Sequence, residues 1–377
     1  MQPTDLLVIG GGAAAAAAAL EARAHDMSVI VVRRAPGASA LSRGGWTGPL
    51  PGPIAHALVR QHLVHVDLDG PLPHPDGELR HYDFAPASHA AARVETGACV
   101  VGIEGLPVFR PRALARLWGD AAGAELTHET TRLAGTPPAG WAPLALARAI
   151  QADAAPLAVA LRDIVARTRC TRLVVPAVLG IERTGEIRER LEAETGVPVG
   201  EALGVAPSVP GWRLHRALEG ALIEAGVQVV DGSVADVEQR AGRCTGVDVV
   251  RHGSDQAERF AAERFLLASG RYVGGGIVAD PVFAEPVFGA AVWIDHLGER
   301  FEEVDSVALT DPVRTEEQPL MRAGVRVDGS HRLRRPGGDA LANVWAAGSV
   351  RAGVADGLGA AAEDGVVAVT RMLSATA

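Results

Sequence analysis

The chain has 377 residues, 48% of them hydrophobic, and a net charge of −9. That is enough apolar material for sizeable cores, and it argues against a nucleic-acid binder, which shows a basic face. There is no lysine among the 36 basic residues, which excludes the Schiff-base lysine of pyridoxal phosphate chemistry and the lysine of a P-loop.

In chain order, residues 5–9 (DLLVI) read as a buried strand, followed by the turn Gly10-Gly11-Gly12 and a helix over 13–23. Residues 28–32 (SVIVV) form a second strand, apolar on both faces, as in a parallel sheet covered by helices. The apolar run 6–20 is interrupted by the glycines and is too short to span a membrane. No basic segment precedes it, so a secretory signal is not expected. Residues 35–53 read as a loop and 66–91 as irregular. A second α/β segment follows, with strands over 98–103 and 172–180 and helices over 111–118, 144–165 and 185–194. Pro207 to Gly211 is expected to break the chain before a helix over 214–224. Strands are then expected over 227–230, 233–238, 244–251 and 258–268, a mixed region over 285–330, a strand over 343–347 and a helix over 357–372.

The strand–glycine–helix–strand pattern carries chemistry. In Gly10-x-Gly12-x-x-Ala15 the first glycine permits the tight turn. The second lets the backbone approach a pyrophosphate, and the small third residue lets helix and strand pack closely. The helix starting at Ala13 then offers free N–H groups to phosphate. An acid for the ribose hydroxyls is usual at the end of the second strand. Here Arg33-Arg34 stand instead, suited to a 2′-phosphate, to the flavin pyrophosphate or to a solvated loop. Two later strands favour flavin over nicotinamide: RFLLASG, ending at Ser269-Gly270, and ANVWAAGS, ending at Gly348-Ser349. Ser42-Arg43-Gly44-Gly45-Trp46 is a further flavin-facing candidate, its glycines allowing a ring to pass close to the backbone.

Oxidising an alcohol needs a base and a hydride path. His215, His296 and His331 qualify by residue type, and His215, on a helix beside Arg213, is expected at the surface. Arg271, Arg334, Arg335 and Arg351 could clamp a phosphate, with Arg271 and Arg351 favoured because they follow the flavin-side strands. The three cysteines are too few for an iron–sulfur cluster, make no disulfide framework and suit the cytoplasm. No metal site is expected.

Several blocks together resemble the B subunit of the anaerobic glycerol-3-phosphate dehydrogenase: DLLVIGGGAAA, CVVGIEGLPVF, LVVPAVLGI, PSVPGWRLHRAL, LLASGRYVGGGIVAD with AEPVFG, and NVWAAGSVRAG. The arginine at the end of the second strand matches too. One departure is that Gly357-Leu358-Gly359-Ala360-Ala361 replaces the family's glycine–cysteine cluster. The resemblance implies a subunit carrying FAD, or FMN, that pairs with a larger FAD dehydrogenase subunit and an iron–sulfur, membrane-associating subunit. The assembly would oxidise sn-glycerol 3-phosphate to dihydroxyacetone phosphate and pass electrons to quinone. A cytoplasmic chain, peripheral to the membrane through its partner, follows.

The expected fold is α/β: a discontinuous Rossmann-like FAD-binding domain over 1–97, 204–284 and 326–377, an inserted α/β domain over 98–203, and a small cap over 285–325. Two other readings stay open, a self-contained FAD oxidoreductase of another small hydroxy acid or amine and a structural subunit that has lost its flavin.

Overall fold

The computed structural model describes residues 4–137, 139–279, 283–311, 313, 318–355 and 357–375. They fall into two compact units. One comprises Met1–Ser39, Gly48–Ala57 and Leu218–Ala377, the other Ala40–Thr47 and Leu58–Ala217.

The first unit opens as expected, with β1 (Thr4–Ile9), α1 (Ala13–Ala24) and β2 (Val29–Arg33). Seven consecutive alanines, Ala13 to Ala19, are all buried in α1. Alanine favours the helix and leaves room for close backbone approach. The chain next forms α2 (Gly52–Arg60).

The second unit begins with two short antiparallel pairs in the region expected to be irregular. These are β3 (His65–Asp67), β4 (Leu72–Pro73), β5 (Leu79–Arg80) and β6 (Phe84–Pro86), pairing β3 with β6 and β4 with β5. After α3 (Ala87–Ala90) come β7 (Ala98–Ile103), α4 (Pro111–Ala122), β8 (Thr127–Thr131), α5 (Pro143–Ala152), α6 (Ala155–Thr168), β9 (Arg172–Val175), α7 (Thr184–Thr195), β10 (Val199–Glu201) and α8 (Val209–Glu224). The four strands β10-β9-β7-β8 form a parallel sheet. Proline opens α4 and α5, where its missing N–H costs nothing, and left-handed Gly123 and Gly196 close α4 and α7. The helix expected over 144–165 is two helices bent by 96°. Asp153 turns extended between them, and its carboxylate accepts from Ala155 N, the first residue of α6, at 2.9 Å. Among the described residues no single helix is long and apolar enough to cross a membrane. This bent pair passes such a test only jointly, and Leu146, Ile150, Leu157, Leu161 and Ile164 of the pair lie in the unit's core. The strand expected over 172–180 stops at Val175, and α8 begins at Val209 rather than after the proline break.

The chain then returns to the first unit with β11 (Gln228–Arg240), one strand where two were expected, followed by β12 (Arg243–Arg251), β13 (Ala257–Phe260) and β14 (Ala262–Leu267). The pair β15 (Val278–Ala279) and β16 (Phe283–Ala284) precedes the three-stranded sheet of β17 (Val292–Ile294), β18 (Glu299–Arg300) and β19 (Ala323–Val325). The chain closes with β20 (Arg332–Arg334), β21 (Ala340–Ala346) and α9 (Leu358–Ser374). The main sheet runs β13-β12-β11-β2-β1-β14-β21-β20. Its central five strands, β11 to β21, are parallel. From β1 the chain moves outward through β2 to β11, then returns to build β14 and β21 on the other side. The strand order therefore reverses between β1 and β14, the place where open α/β sheets bind ligands at the carboxyl ends of their strands.

The expected domain limits shift. Residues 40–47, 58–97 and 204–217 belong with the inserted α/β unit. Trp46 bridges to Phe84, Leu203 N donates to Pro73 O, and Ala92 and Val209 lie in the core of the four-stranded sheet. The segment 285–325 forms no separate unit: Ile277 shares a core cluster with Val292, Ile294, Phe301 and Ala323.

Candidate cofactor site

Three strand ends meet at the reversal. Gly10 N donates to Val32 O at 2.9 Å, Ala268 N to Ile9 O at 2.8 Å and Ala347 N to Leu267 O at 2.9 Å. Gly10 has φ +149°, and a Cβ there would lie 2.1 Å from Ala268 O, so only glycine lets β1 turn beside β14. The segment after β2 folds back on the turn, with Gly37 N donating to Gly11 O at 3.0 Å. A Cβ on Gly12, in contrast, would meet nothing nearer than Gly37 Cα at 3.9 Å and Ser39 Oγ at 4.0 Å. That open space is a cradle which a side chain would fill. It faces the start of α1, whose first turn has neither a side-chain cap nor an acid, leaving its N–H groups for an anion. Ala13 and Ala15 are buried behind it.

Ser39 Oγ, beside the cradle, and Ser269 Oγ, at the end of β14, are buried without a hydrogen-bond partner. Unmet buried hydroxyls are costly, and both suit the polar groups of a bound dinucleotide. The glycine triplet after Ser269-Gly270 has a packing reason. Cβ atoms on Gly274 and Gly276 would lie 2.0 Å from Ser269 O and 1.9 Å from Gly270 O. Gly348 has φ +77°, and a Cβ there would lie 2.6 Å from Ala14 Cβ, while Ser349 Oγ lies 3.8 Å from one built on Gly270. The glycine turn, Ser269-Gly270 and Gly348-Ser349, far apart in sequence, are thus brought together. The cradle and its unmet hydroxyls fit FAD.

The two arginines ending β2 separate. Arg33 is buried and paired with Glu219, and it donates from Nε to Asp231 at 2.6 Å. Burial pushes its pKa down, but the bonds to Asp231 and Glu219 outweigh that and raise it. Its charge is committed to holding α8 and β11 against β2. Arg34 is exposed and has no hydrogen-bond or ion-pair partner among the described residues, and its Nη1 is 3.2 Å from a Cβ built on Gly275. No carboxylate ends β2.

The expected phosphate clamp does not assemble. Arg271 is buried and donates to Ala323 O at 2.7 Å and Val354 O at 3.1 Å. Arg351 pairs with Asp364 and contacts His331 Nδ1 at 3.2 Å. Asp364 of α9 also accepts from Gly348 N at 2.8 Å. Burial, then the Arg351 charge, lowers the His331 pKa to about 4. Arg334 and Arg335 are exposed, and the His296 side chain lies outside the described residues. His215 is buried rather than at the surface, with its ring 5.2 Å from that of Trp212.

Ser42, Gly44 and Gly45 lie in the inserted unit. Ser42 O accepts from Ser208 Oγ, and Gly44 N donates to Ser42 Oγ at 3.3 Å. Protein makes the close approach here. A Cβ on Gly44 would meet His89 Nε2 at 2.5 Å, and one on Gly45 the Tyr82 ring at 2.3 Å. Beneath His89 lies a fully buried ion pair, Glu201–Arg213, with contacts of 2.6 and 2.9 Å. Arg213 holds the Glu201 carboxyl below its usual range despite burial, which acts to raise it. Sequence reading missed this pair and Asp364, since no local spacing links their members. No group of three or more potential metal ligands occurs among the described residues.

The model of the FAD binding domain family matches residues 5–292 and 166–362. The probable B subunit of the anaerobic glycerol-3-phosphate dehydrogenase of Halobacterium salinarum is 31% identical over 271 residues, 71% of this chain and 58% of that protein. The B subunit of the anaerobic glycerol-3-phosphate dehydrogenase of Yersinia enterocolitica is 28% identical over 302 residues, 74% of this chain and 65% of that protein. The resemblance read from the sequence blocks is borne out, and the chain spans less than two thirds of the length of these relatives. Among solved structures, the open conformation of a flavocytochrome c3 fumarate reductase aligns with TM-score 0.40 at 13% identity, over 100% of this chain and 78% of that one. That likeness is too distant to bear on function.

Proposed function

The chain belongs to the FAD binding domain family, and from that premise we propose that it is the flavin-carrying B subunit of an anaerobic glycerol-3-phosphate dehydrogenase. The observation that carries the flavin is the cradle over Gly12 flanked by the unmet hydroxyls of Ser39 and Ser269. The relatives' names support the rest.

Gly10 sets the turn, and the first N–H groups of α1 hold the pyrophosphate at Gly12. Ser39 and Ser269 would donate hydroxyl hydrogens to the cofactor, and Gly270, Gly348 and Ser349 would help to hold it. Arg34 supplies the uncommitted positive charge, while Arg33 stays in its ion pairs. Bound FAD would supply a two-electron carrier for the electrons that leave sn-glycerol 3-phosphate at the partner's site as it becomes dihydroxyacetone phosphate. Arg271 and Arg351 are held by protein groups, so the substrate base and phosphate clamp belong to a larger FAD dehydrogenase partner. Three cysteines cannot hold a cluster, so electrons leave through an iron–sulfur, membrane-associating partner toward quinone. The chain itself works on the cytoplasmic side.

One observation favours a second reading, a structural subunit without flavin: no carboxylate ends β2 to bind a ribose. Anaerobic reduction separates the readings. The purified chain carries flavin that glycerol 3-phosphate bleaches only when the partner subunits are present. Bleaching of the isolated chain would overturn the need for partners, and a chain that takes up no flavin would support the second reading.

A further inference from the structure

A second constellation lies in the same unit at the other end of the sheet. The glycine turn follows the carboxyl end of β1. At the amino end Thr4 pairs with Ala262, and there the starts of β14, β21 and β12 border a cleft open to solvent. Six strand residues at about 3.3 Å each put it some 20 Å from the turn. Three arginines line it: Arg243, Arg264 and Arg332. Trp345 and Asn343 line it too, and among the described residues Glu263 is its one carboxylate.

The cleft is built rather than incidental. Asn343 is buried and donates to Cys244 O at 2.8 Å and Glu263 O at 2.9 Å, while accepting from Cys244 N at 2.8 Å. One amide thereby braces β12 and β14 against β21. Arg332 stands over the Trp345 ring, 5.9 Å from its centre. The Nε atoms of Arg264 and Arg332 and Nε1 of Trp345 are all buried with no hydrogen-bond partner. Trp345 is only 1% exposed.

The charges do not balance. Glu263 faces Arg264 at 3.3 Å. Asp5 also feels Arg264, but its carboxylate is held by Ser28 N at 2.7 Å and Ser28 Oγ at 2.6 Å. Arg243 and Arg332 have no carboxylate partner among the described residues. Two unmatched guanidinium groups in one cleft of a chain with net charge −9 suit a ligand of at least two negative charges. The planar fork of arginine matches phosphate oxygens in pairs.

We propose that this cleft is a second anion site, taking a small phosphate ester between Arg243 and Arg332 above Trp345. It is separate from the cofactor cradle and does not rest on the flavin reading. The test titrates the full chain with inorganic phosphate at constant ionic strength, read by calorimetry. Saturable binding is expected. Arg332→Gln and the exposed Arg243→Gln should each weaken it by about tenfold, the worth of a charge-assisted bond. Arg332→Lys, which keeps charge but loses the fork, should recover part of the loss. Thermal melting and flavin content, read alongside, should stay at wild-type values in Arg243→Gln. No saturable binding would overturn the proposal. So would equal binding by the Arg243→Gln, Arg332→Gln double variant.

Discussion

The two units both bury large side chains, Phe265 and Trp345 in the nucleotide unit among them, but differ in what their sites depend on. In the nucleotide unit the turn and its helices bring backbone against backbone. Alanines of α1 pack under α9, where a Cβ on Gly365 would lie 2.3 Å from Ala14 O, and Gly10 sits against Ala268. In the inserted unit large side chains, among them Trp118, Leu146, Ile150, Leu157 and Leu161, fill the core. That unit also buries one full ion pair, Glu201–Arg213. The first design leaves no room for an added atom, and the second leaves no slack for a lost charge. The first also explains how a chain with only 4% aromatic residues holds a precise turn: closeness there comes from missing Cβ atoms rather than from filling side chains.

Substitutions can break that contrast. Arg213→Met strands Glu201 in the core and should destabilise the chain by about 3–5 kcal/mol in denaturant titrations. The double change Glu201→Met, Arg213→Met should recover most of the loss, and a double variant as unstable as the single would show that packing rather than charge governs the inserted unit. Gly10→Val forces a clash with a carbonyl and should cost more than about 3 kcal/mol, with loss of flavin. Retained flavin would deny that the turn is rigid. Smaller effects sharpen the division of labour at β2. Arg33→Gln should cost about 1–3 kcal/mol and leave flavin affinity near wild type once folded. Arg34→Gln should change stability by less than about 0.5 kcal/mol and instead speed flavin loss, measured by dialysis. A reversed pattern would exchange their roles.

Titration should reach both units, because burial also holds His65 of the inserted unit down at about 4 and lowers His89 there. His331 in the nucleotide unit has its pKa lowered from 6.5 to about 4. As pH falls, the unfolded chain therefore takes the proton first, and stability is lost between pH 6.5 and about 4. His331 has φ +65°, which asparagine tolerates, so His331→Asn should lessen the slope of the melting profile across that window and leave the part due to His65 and His89. The Glu201 carboxyl is held below its usual 4.5, so its contribution is lost only at more acid pH, below about 4.5. A wild-type profile flat from pH 6.5 to 4.5 would contradict the burial of neutral His331.

What the sequence disclosed follows from locality. The βαβ unit was legible because its strand, turn and helix are contiguous and each residue type has one geometric reason. Ser269-Gly270 and Gly348-Ser349 were legible as ends of buried strands, and the structure brings them to the turn. The Arg33 partners were not, since Asp231 and Glu219 reach it only after the inserted unit has intervened. Asp364 escaped notice for the same reason: it serves the Gly348 turn from α9. The glycines at 44 and 45 were read as room for a flavin ring, and the neighbours found there are His89 and Tyr82. The surface expectation failed at His215 because its ring is buried beside Trp212 of the same helix, a contact no periodicity announces.

The central claim is that the cradle at Gly12 holds FAD. The most direct measurement is the absorption spectrum of the purified chain, with chromatography of what it releases on denaturation. Oxidised flavin bands and stoichiometric release of FAD are expected, both lost in Gly10→Val. A colourless chain that takes up neither FAD nor FMN when supplied would contradict the claim.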